Sequence, residues 1–369
     1  MTVQAVDFLV RKNGIQTYQF KEYEIDLNTL APGQILFEVD KFAFTANNVT
    51  YALLGENFQY WQFFPTAADE WGKIPVWGFG NVIYSNHNDI AVGERMYGYF
   101  PLASHLVVEP ANVTPGSFYD GAAHRRELSP IYNQYTRVAK DPAYIPEHEA
   151  LQALFRPLFT TSFLLDDFLA NNGFFGAQTV ILSSASSKTA FGVAFLLHRH
   201  RPQREPYQII GLTSPRNLDF VNGLGCYDQA LTYEQMGELD NEHTVVFVDI
   251  AGNADLRAKL HHRYEDNMAY SCLVGASHWE EVASSQALPG AEPKVFFAPA
   301  QGQKRIKEWG PAEFQMRLGK AWAVFLEPIQ NWITVQESAG PTAVEQVYQS
   351  FLAGKADAST GYILSLKEE

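Results

Sequence analysis

Short apolar runs alternate with helical stretches through the middle of the chain. The runs with strand character fall at 179–183, 207–213, 228–233, 244–250, 270–276 and 294–298. A strand that is buried on both faces contains consecutive apolar residues, so this alternation is typical of parallel βαβ units. It predicts an α/β domain with a doubly wound parallel sheet from about residue 160 to residue 310.

The first 115 residues show a different pattern, in which β-branched and aromatic runs are separated by Gly, Pro and Asn. Such runs occur at 3–11, 33–42, 76–85 and 104–110, and they predict a strand-rich domain. Residues 116–155 are polar and rich in proline and tyrosine, as expected of an ordered excursion over the surface or across a cleft. A helical stretch at 343–355 and a strand at 360–366 are expected to return to the first domain.

Composition narrows the class of protein. The chain has 369 residues, which favours two domains, and its hydrophobic content of 46% predicts a well-buried globular protein. A net charge of −14 argues against nucleic acid as a partner, because phosphates are bound by basic patches. We find no apolar run long enough for a membrane span and no signal peptide, so Cys226 and Cys272 are expected to be buried thiols of a cytoplasmic protein.

Four segments carry a resemblance to a known family. They are FAFTANNVTYALLG at 42–55, the hairpin region 74–110 with its VGERMYG turn, the helix and first βαβ unit at 155–197, and the closing segment 342–366. In this order they resemble the medium-chain dehydrogenase/reductase superfamily, in its zinc-free quinone-oxidoreductase-like and enoyl-reductase-like branch.

The resemblance implies a domain organisation and a class of ligand. It implies a strand-rich, GroES-like catalytic domain at 1–158 and 318–369, with an inserted excursion at about 116–155. The remaining segment, 159–317, is then a Rossmann-type cofactor domain with a doubly wound parallel sheet. We also expect a nicotinamide cofactor, a small-molecule substrate and a homodimer.

A catalytic zinc ion is not expected. Zinc-dependent members of the superfamily carry Gly-His-Glu at the hairpin and a cysteine well before it. Here the hairpin reads Gly78-Phe79-Gly80, and no cysteine precedes Cys226. Because a catalytic zinc site requires three protein ligands that converge on one open position, the sequence predicts metal-independent chemistry.

The connection TVILSSASSKTAFG at 179–192 stands where the superfamily binds pyrophosphate with a glycine-rich turn. A serine and a lysine replace two of the glycines, and both supply side-chain donors beside a helix N-terminus, which attracts anions. We therefore expect the cofactor to contact Ser186, Ser187, Lys188 and Thr189. The turn alone is equally compatible with a degenerate Rossmann domain that has lost its nucleotide. A P-loop is disfavoured, since Leu182 and Ser187 occupy its glycine positions.

The end of the second strand favours NADP over NAD. An NAD site places an acidic residue there for the ribose 2′-hydroxyl, but the segment 211–217 contains no Asp or Glu. Ser214 and Arg216 are instead suited to a 2′-phosphate, which a guanidinium binds with two parallel hydrogen bonds. The alternative interpretation of Arg216 is a solvated side chain at a helix start.

The resemblance places further candidates near the nicotinamide, outside the carboxyl ends of the strands. Those for cofactor binding are Asn48, Thr161, Ala251, Gly252, Ala276 and Phe297, and those for proton transfer are Tyr51, Tyr60 and His278. The two tyrosines are also compatible with packing roles, and the histidine with a helix start. Tyr132, Asn133 and Tyr135 of the excursion are compatible with a substrate lid, a dimer contact or a surface loop.

These features predict an NADPH-dependent, metal-independent reductase of an activated carbonyl or carbon–carbon double bond on a small molecule. The alternative is a non-catalytic binding or scaffold protein that retains a degenerate Rossmann fold. The glycine-free turn is the main support for that alternative.

Overall fold

The computed structural model describes residues 1–141, 143–274 and 288–367. The chain divides into two compact units, and unit 1 consists of Met1–Leu154 and Ile333–Glu369 while unit 2 consists of Phe155–Trp332. Among the described residues, no helix combines the length and the apolar character that crossing a membrane requires.

The strands and helices are numbered separately in chain order. The strands are β1 (Thr2–Arg11), β2 (Gly14–Asp26), β3 (Ile35–Phe44), β4 (Trp71–Lys73), β5 (Pro75–Ser85), β6 (Arg95–Pro101), β7 (His105–Val108), β8 (Pro110–Ala111), β9 (Ser117–Asp120), β10 (Gln134–Arg137), β11 (Thr179–Leu182), β12 (Gln208–Thr213), β13 (Gln229–Thr232), β14 (Val245–Asp249), β15 (Met268–Leu273), β16 (Pro293–Val295), β17 (Thr334–Ala339) and β18 (Thr360–Ser365). The α-helices of the described ranges are α1 (Ala46–Leu53), α2 (Glu149–Asn171), α3 (Lys188–His200), α4 (Leu218–Gly223), α5 (Ala254–Tyr264), α6 (Ala298–Trp309), α7 (Pro311–Trp332) and α8 (Pro341–Leu352).

Unit 1 is built mainly from antiparallel strands. One sheet has the order β2-β1-β4, and the larger sheet has the order β17-β18-β3-β5-β6-β10-β9-β8, with β7 also paired to β3. Apolar side chains that alternate along these strands form an aromatic core, in which Phe8, Phe37, Phe100 and Tyr135 are fully buried. Helix α8 closes this core with Tyr348, whose ring lies 5.0 Å from that of Phe8.

Unit 2 contains a parallel sheet with the order β13-β12-β11-β14-β15-β16. Every pairing between its neighbouring strands is parallel, and the order reverses between β11 and β14 as it does in the Rossmann fold. The side chains of β11 and β14 are all buried, which explains why these segments read as continuous apolar runs. The predicted fold class, a Rossmann-type sheet together with a strand-rich domain, is confirmed.

The excursion at 116–155 differs from a surface loop. It contains β9 and β10, and β10 pairs with β6, so the excursion extends the large sheet of unit 1. Tyr135 lies in the core and donates a hydrogen bond to the carbonyl of Tyr99 at 2.8 Å. The side chain of Asn133 is also buried, and it donates to the carbonyl of Arg125 at 3.1 Å. These two residues are therefore structural, and the prediction that they belong to a polar lid is wrong for both.

The boundary between the units also differs from the predicted one at 158/159 and 317/318. Helix α7 lies wholly within unit 2, because its apolar face packs on α2 and α3. Phe325 stacks on Phe159 with 4.4 Å between the ring centroids, and it also contacts Phe191 and Phe195. These contacts join residues that are far apart in sequence, so the local pattern did not reveal them.

Gly78 on β5 lies where this strand closely approaches its neighbour β3. A Cβ atom at this position would lie 2.2 Å from the carbonyl oxygen of Lys41 and 2.7 Å from the Cα of Phe42, both backbone atoms of β3. We expect Gly78→Ala to lower the free energy of unfolding by about 1–3 kcal/mol, because the paired strands must move apart. Equilibrium denaturation measures this change. Gly14→Ala is the matched control, since nothing lies within 4 Å of a Cβ there, and equal losses in both variants would contradict the argument.

Candidate functional site

The turn between β11 and α3 carries four of the predicted cofactor-binding residues. Ser187 is the N-cap of α3, and its hydroxyl accepts a hydrogen bond from the backbone N–H of Ala190 at 3.2 Å. Lys188 is the first helical residue, is half-buried, and has its Nζ 5.8 Å from the ring centroid of Phe155. The first turn of this helix contains no acidic residue, so its positive end is not neutralised from within.

Hydrogen bonds with two tyrosine hydroxyls fix the backbone of this turn, which lacks flexible glycines. Ser184 adopts φ = +50°, a left-handed conformation, and its N–H donates to the hydroxyl of Tyr233 at 3.1 Å. Tyr227 donates to the carbonyl of Ala185 at 2.9 Å. Gly211 on β12 makes room for Ala185 and Tyr227, since a Cβ there would lie 2.8 Å from the Cβ of Ala185 and 2.9 Å from the ring of Tyr227. Sequence reasoning missed both tyrosines. The glycine within an apolar strand is a signal that could have pointed to the close approach of Tyr227, and it gives none for Tyr233.

The first turn and the end of β12 meet through side chains. The hydroxyl of Ser186 accepts hydrogen bonds from Asn217 at 3.0 Å and from the hydroxyl of Thr213 at 3.4 Å. Ser214 precedes a short 3-10 helix at Pro215–Asn217, and the side chain of Arg216 within it is exposed. The structure thus brings Ser186 close to the segment that contains the two residues predicted to bind a 2′-phosphate.

Ser183 and Asp249 couple the first turn to the end of β14. The hydroxyl of Ser183 accepts from the backbone N–H groups of Ile250 and Ala251, at 2.8 and 2.9 Å, and donates to the carboxylate of Asp249 at 3.1 Å. Asp249 in turn accepts from the N–H of Gly252 at 2.9 Å and from Arg257 at 3.0 Å. Burial raises the pKa of Asp249, and the charge of Arg257 opposes that rise. Ala251 and Gly252, both predicted site residues, are therefore held in a fixed conformation.

The other candidates of unit 2 are more dispersed. The hydroxyl of Thr161 donates a long hydrogen bond, 3.5 Å, to the carbonyl of Pro157 on its own helix. The backbone carbonyl of Thr189 accepts from Ser162 at 2.9 Å, which joins α3 to α2. Phe297 is the N-cap of α6 and is 44% exposed. Ala276 and His278 lie outside the described residues.

In unit 1, Asn48 belongs to a capping box at the start of α1. Its side-chain oxygen accepts from the N–H of Thr45 at 2.7 Å, and its amide donates to the carbonyl of Pro75 at 2.9 Å. These bonds use the polar groups of Asn48 to fix α1 against β5. A contact between Asn48 and a cofactor stays a prediction.

Tyr51 and Tyr60 lie together in an aromatic cluster of unit 1. Their ring centroids are 4.5 Å apart, and the hydroxyl of Tyr51 accepts from the indole N–H of Trp77 at 3.4 Å. The cluster has as its further members Phe63, Phe64, Tyr99, Leu128 and Tyr132. Burial raises the pKa of Tyr51 and of Tyr60 far above the usual value near 10, so both hydroxyls carry their protons at neutral pH. Both hydroxyls can therefore donate a hydrogen bond to an oxygen acceptor.

A metal site does not emerge from residues 1–141, 143–274 and 288–367. They contain no group of three or more His, Cys, Asp or Glu side chains that could hold a metal ion. Cys226 and Cys272 are both buried, and burial raises the pKa of the Cys226 thiol to about 12.

Comparison with known proteins assigns the chain to a family. The family described as "Protein of unknown function (DUF2855)" matches residues 42–357. This chain belongs to that family. No curated protein matches it in sequence.

Solved structures match the chain along its whole length. CurA from Vibrio vulnificus in complex with NADPH is 12% identical over 100% of this chain and 100% of that chain, with a TM-score of 0.58. The yhdH oxidoreductase from Salmonella enterica in complex with NADP is 12% identical over 99% and 100%, with a TM-score of 0.52. A putative NADPH:quinone reductase from Mesorhizobium loti is 12% identical over 99% of each chain, with a TM-score of 0.57.

At such low identity the similarity concerns the fold. It confirms the fold that the sequence predicted: this member of the DUF2855 family shares its fold with these reductases.

Proposed function

We propose that this DUF2855 protein is an NADPH-dependent, metal-independent reductase of an activated carbonyl or carbon–carbon double bond on a small molecule. The observation that carries the proposal is the cationic character of the β11–α3 turn and of the loop after β12, in an otherwise acidic chain. Solved structures with this fold that contain NADP or NADPH support the same cofactor.

The residues around the turn fit a phosphorylated dinucleotide. The N-terminus of α3, the hydroxyl of Ser187 and the cation of Lys188 are donors for a pyrophosphate. The exposed side chain of Arg216 and the hydroxyl of Ser214 are donors for a 2′-phosphate, and no acidic residue ends β12 to repel that group. Thr161 in the middle of α2, together with Ser186, Ala251, Gly252 and Phe297 after the ends of β11, β14 and β16, are proposed to complete the cofactor site.

When bound, the reduced nicotinamide supplies a hydride to the substrate. The residues of the chain then have two tasks, to orient the substrate and to supply the proton that completes the reduction. Tyr60 is the stronger candidate for the proton donor, because its side chain is half-buried while Tyr51 is buried and bonded to Trp77. A second hydroxyl that bonds the substrate oxygen would then orient the substrate and leave proton transfer to Tyr60. Tyr51 is proposed to orient Tyr60 through the contact between their rings.

The same turn also favours a rival function, a binding protein that has lost catalysis. The N–H of Ser184 is occupied by Tyr233, and the N–H of Ala185 donates to the carbonyl of Leu212 at 2.9 Å. Two backbone donors of the turn are thus used internally, whereas a glycine-rich turn presents its N–H groups to the pyrophosphate.

Titration of the purified protein with NADPH, followed by cofactor fluorescence, separates the two functions. Binding at micromolar concentration supports the reductase, and absence of binding at millimolar NADPH would leave the binding-protein function in its place.

Metal analysis of protein purified without chelator should give far less than one zinc per chain. A stoichiometric zinc that is lost together with activity would overturn metal independence.

Arg216→Ala should weaken NADPH binding by about 1.5–3 kcal/mol, the range for hydrogen bonds to charged groups. NADH lacks the 2′-phosphate, so its binding should hardly change. Isothermal titration with each cofactor measures the difference. Equal losses for NADPH and NADH would show that Arg216 does not bind the 2′-phosphate.

Lys188→Ala should weaken NADPH binding and flatten its dependence on salt, because ion contacts are screened over about 10 Å at 0.1 M salt. Arg199→Ala is the matched control, since it removes a positive charge from the last turn of the same helix, roughly 16 Å away at 1.5 Å per residue. Lys188→Gly removes the charge but restores the glycine typical of the superfamily. If the glycine variant binds NADPH better than the parent, the lysine hinders binding and the rival function gains.

Tyr60→Phe should lower kcat by about 100-fold or more and leave KM nearly unchanged, since loss of a positioned proton donor affects the chemical step. Tyr51→Phe should have a smaller effect because it removes an orienting contact. The raised pKa of Tyr60 predicts that its proton is retained, and kcat therefore maintained, from about pH 6 to pH 9. An unchanged kcat in both variants would exclude both hydroxyls as the donor.

A further inference from the structure

The ring of Tyr132 fills a space that is lined by other rings. Its centroid lies 4.8 Å from that of Tyr99, 5.3 Å from Phe63, 6.0 Å from Tyr60 and 6.1 Å from Trp77. We call these four residues the ring site. Rings at such distances and tilts attract one another, so the four residues surround a space that suits a planar aromatic group, here the ring of Tyr132.

Tyr132, whose ring occupies the ring site, belongs to a short segment at the surface. Tyr132 ends the 3-10 turn Pro130–Tyr132, is only half-buried, and follows Ile131, which is 43% exposed. The residues behind it are anchored, since Asn133 bonds to Arg125 and Tyr135 bonds to the carbonyl of Tyr99. A change of side-chain rotamer at Tyr132 therefore uncovers the ring site without disturbing β10.

Tyr99, whose ring borders the ring site, carries a hydroxyl without a hydrogen-bond partner among the described residues. Tyr99 is fully buried, and its hydroxyl makes no hydrogen bond to any residue that the structure describes. A buried hydroxyl without a partner is unfavourable, and the few such groups in folded proteins call for an explanation. Burial raises the pKa of this hydroxyl, so it keeps its proton and can donate a hydrogen bond to an oxygen acceptor.

We propose that Tyr132 covers a binding site for a planar aryl carbonyl compound, whose ring takes the place of the Tyr132 ring and whose carbonyl oxygen accepts from Tyr99. The proposal deepens the reductase function by naming its substrate class, and it rests on that function only for turnover. A saturated ring of the same size lacks the flat π face that the surrounding rings favour.

The test measures binding without NADPH, so that it does not depend on turnover. Isothermal titration compares acetophenone with cyclohexyl methyl ketone, which carries the same carbonyl on a saturated ring. Tyr132→Ala should bind acetophenone about 10-fold or more tightly than the parent, because the site no longer has to be vacated. Tyr99→Phe should weaken acetophenone binding about 2- to 10-fold and leave the melting temperature unchanged or higher, since no hydrogen bond is lost within the protein.

Tyr135→Phe is the matched control. It also removes one buried phenolic hydroxyl, but this hydroxyl is bonded to the carbonyl of Tyr99, so the variant should melt at a lower temperature and bind acetophenone like the parent. The proposal is overturned if both ketones bind equally, or if Tyr99→Phe binds acetophenone as the parent does. If Tyr132→Ala fails to fold, the ketone pair and Tyr99→Phe decide the outcome. Binding of acetophenone without any turnover would support the ring site and count against the reductase.

Discussion

The backbone conformation of the turn after β11 is fixed by hydrogen bonds with tyrosine hydroxyls and does not rely on glycine. Tyr233 accepts from the N–H of Ser184, Tyr227 donates to the carbonyl of Ala185, and Gly211 provides the space for the second tyrosine. A glycine-rich turn reaches a left-handed conformation at no steric cost, whereas a serine reaches it only when neighbours compensate. The candidate cofactor site of unit 2 depends on this compensation, since α3 begins directly after the turn.

The same end of the sheet is stabilised from the other side by a buried ionic network. Asp249 holds Ser183, Gly252 and Arg257, so the connection after β14 cannot move independently of the one after β11. Removing one partner from such a network leaves an uncompensated buried charge, which costs more than the pair contributes. Both connections therefore form one rigid edge, as a site that orients a ligand by hydrogen bonds requires.

The sequence allowed the parallel sheet to be predicted, because strands buried on both faces are apolar throughout and are separated by helical stretches. It also placed Ser187 and Lys188 at a helix start. Tyr227 and Tyr233 were not predictable, because they act on residues 42 and 49 positions earlier, and such contacts depend on which strands are neighbours. The short strands β9 and β10 were missed because four residues of mixed polarity resemble a loop until their pairing partner is known.

The aromatic cluster of unit 1 illustrates how burial sets chemistry. Burial among rings raises the pKa of Tyr51, Tyr60 and Tyr99, so these hydroxyls stay protonated and can donate hydrogen bonds, while each becomes a weaker acid. The same burial excludes water, which would strengthen a hydrogen bond between one of these hydroxyls and a substrate oxygen. Stability alone would favour phenylalanine where a hydroxyl has no partner, as it does at Tyr99. A tyrosine at that position is what the proposed hydrogen bond to a substrate carbonyl would require.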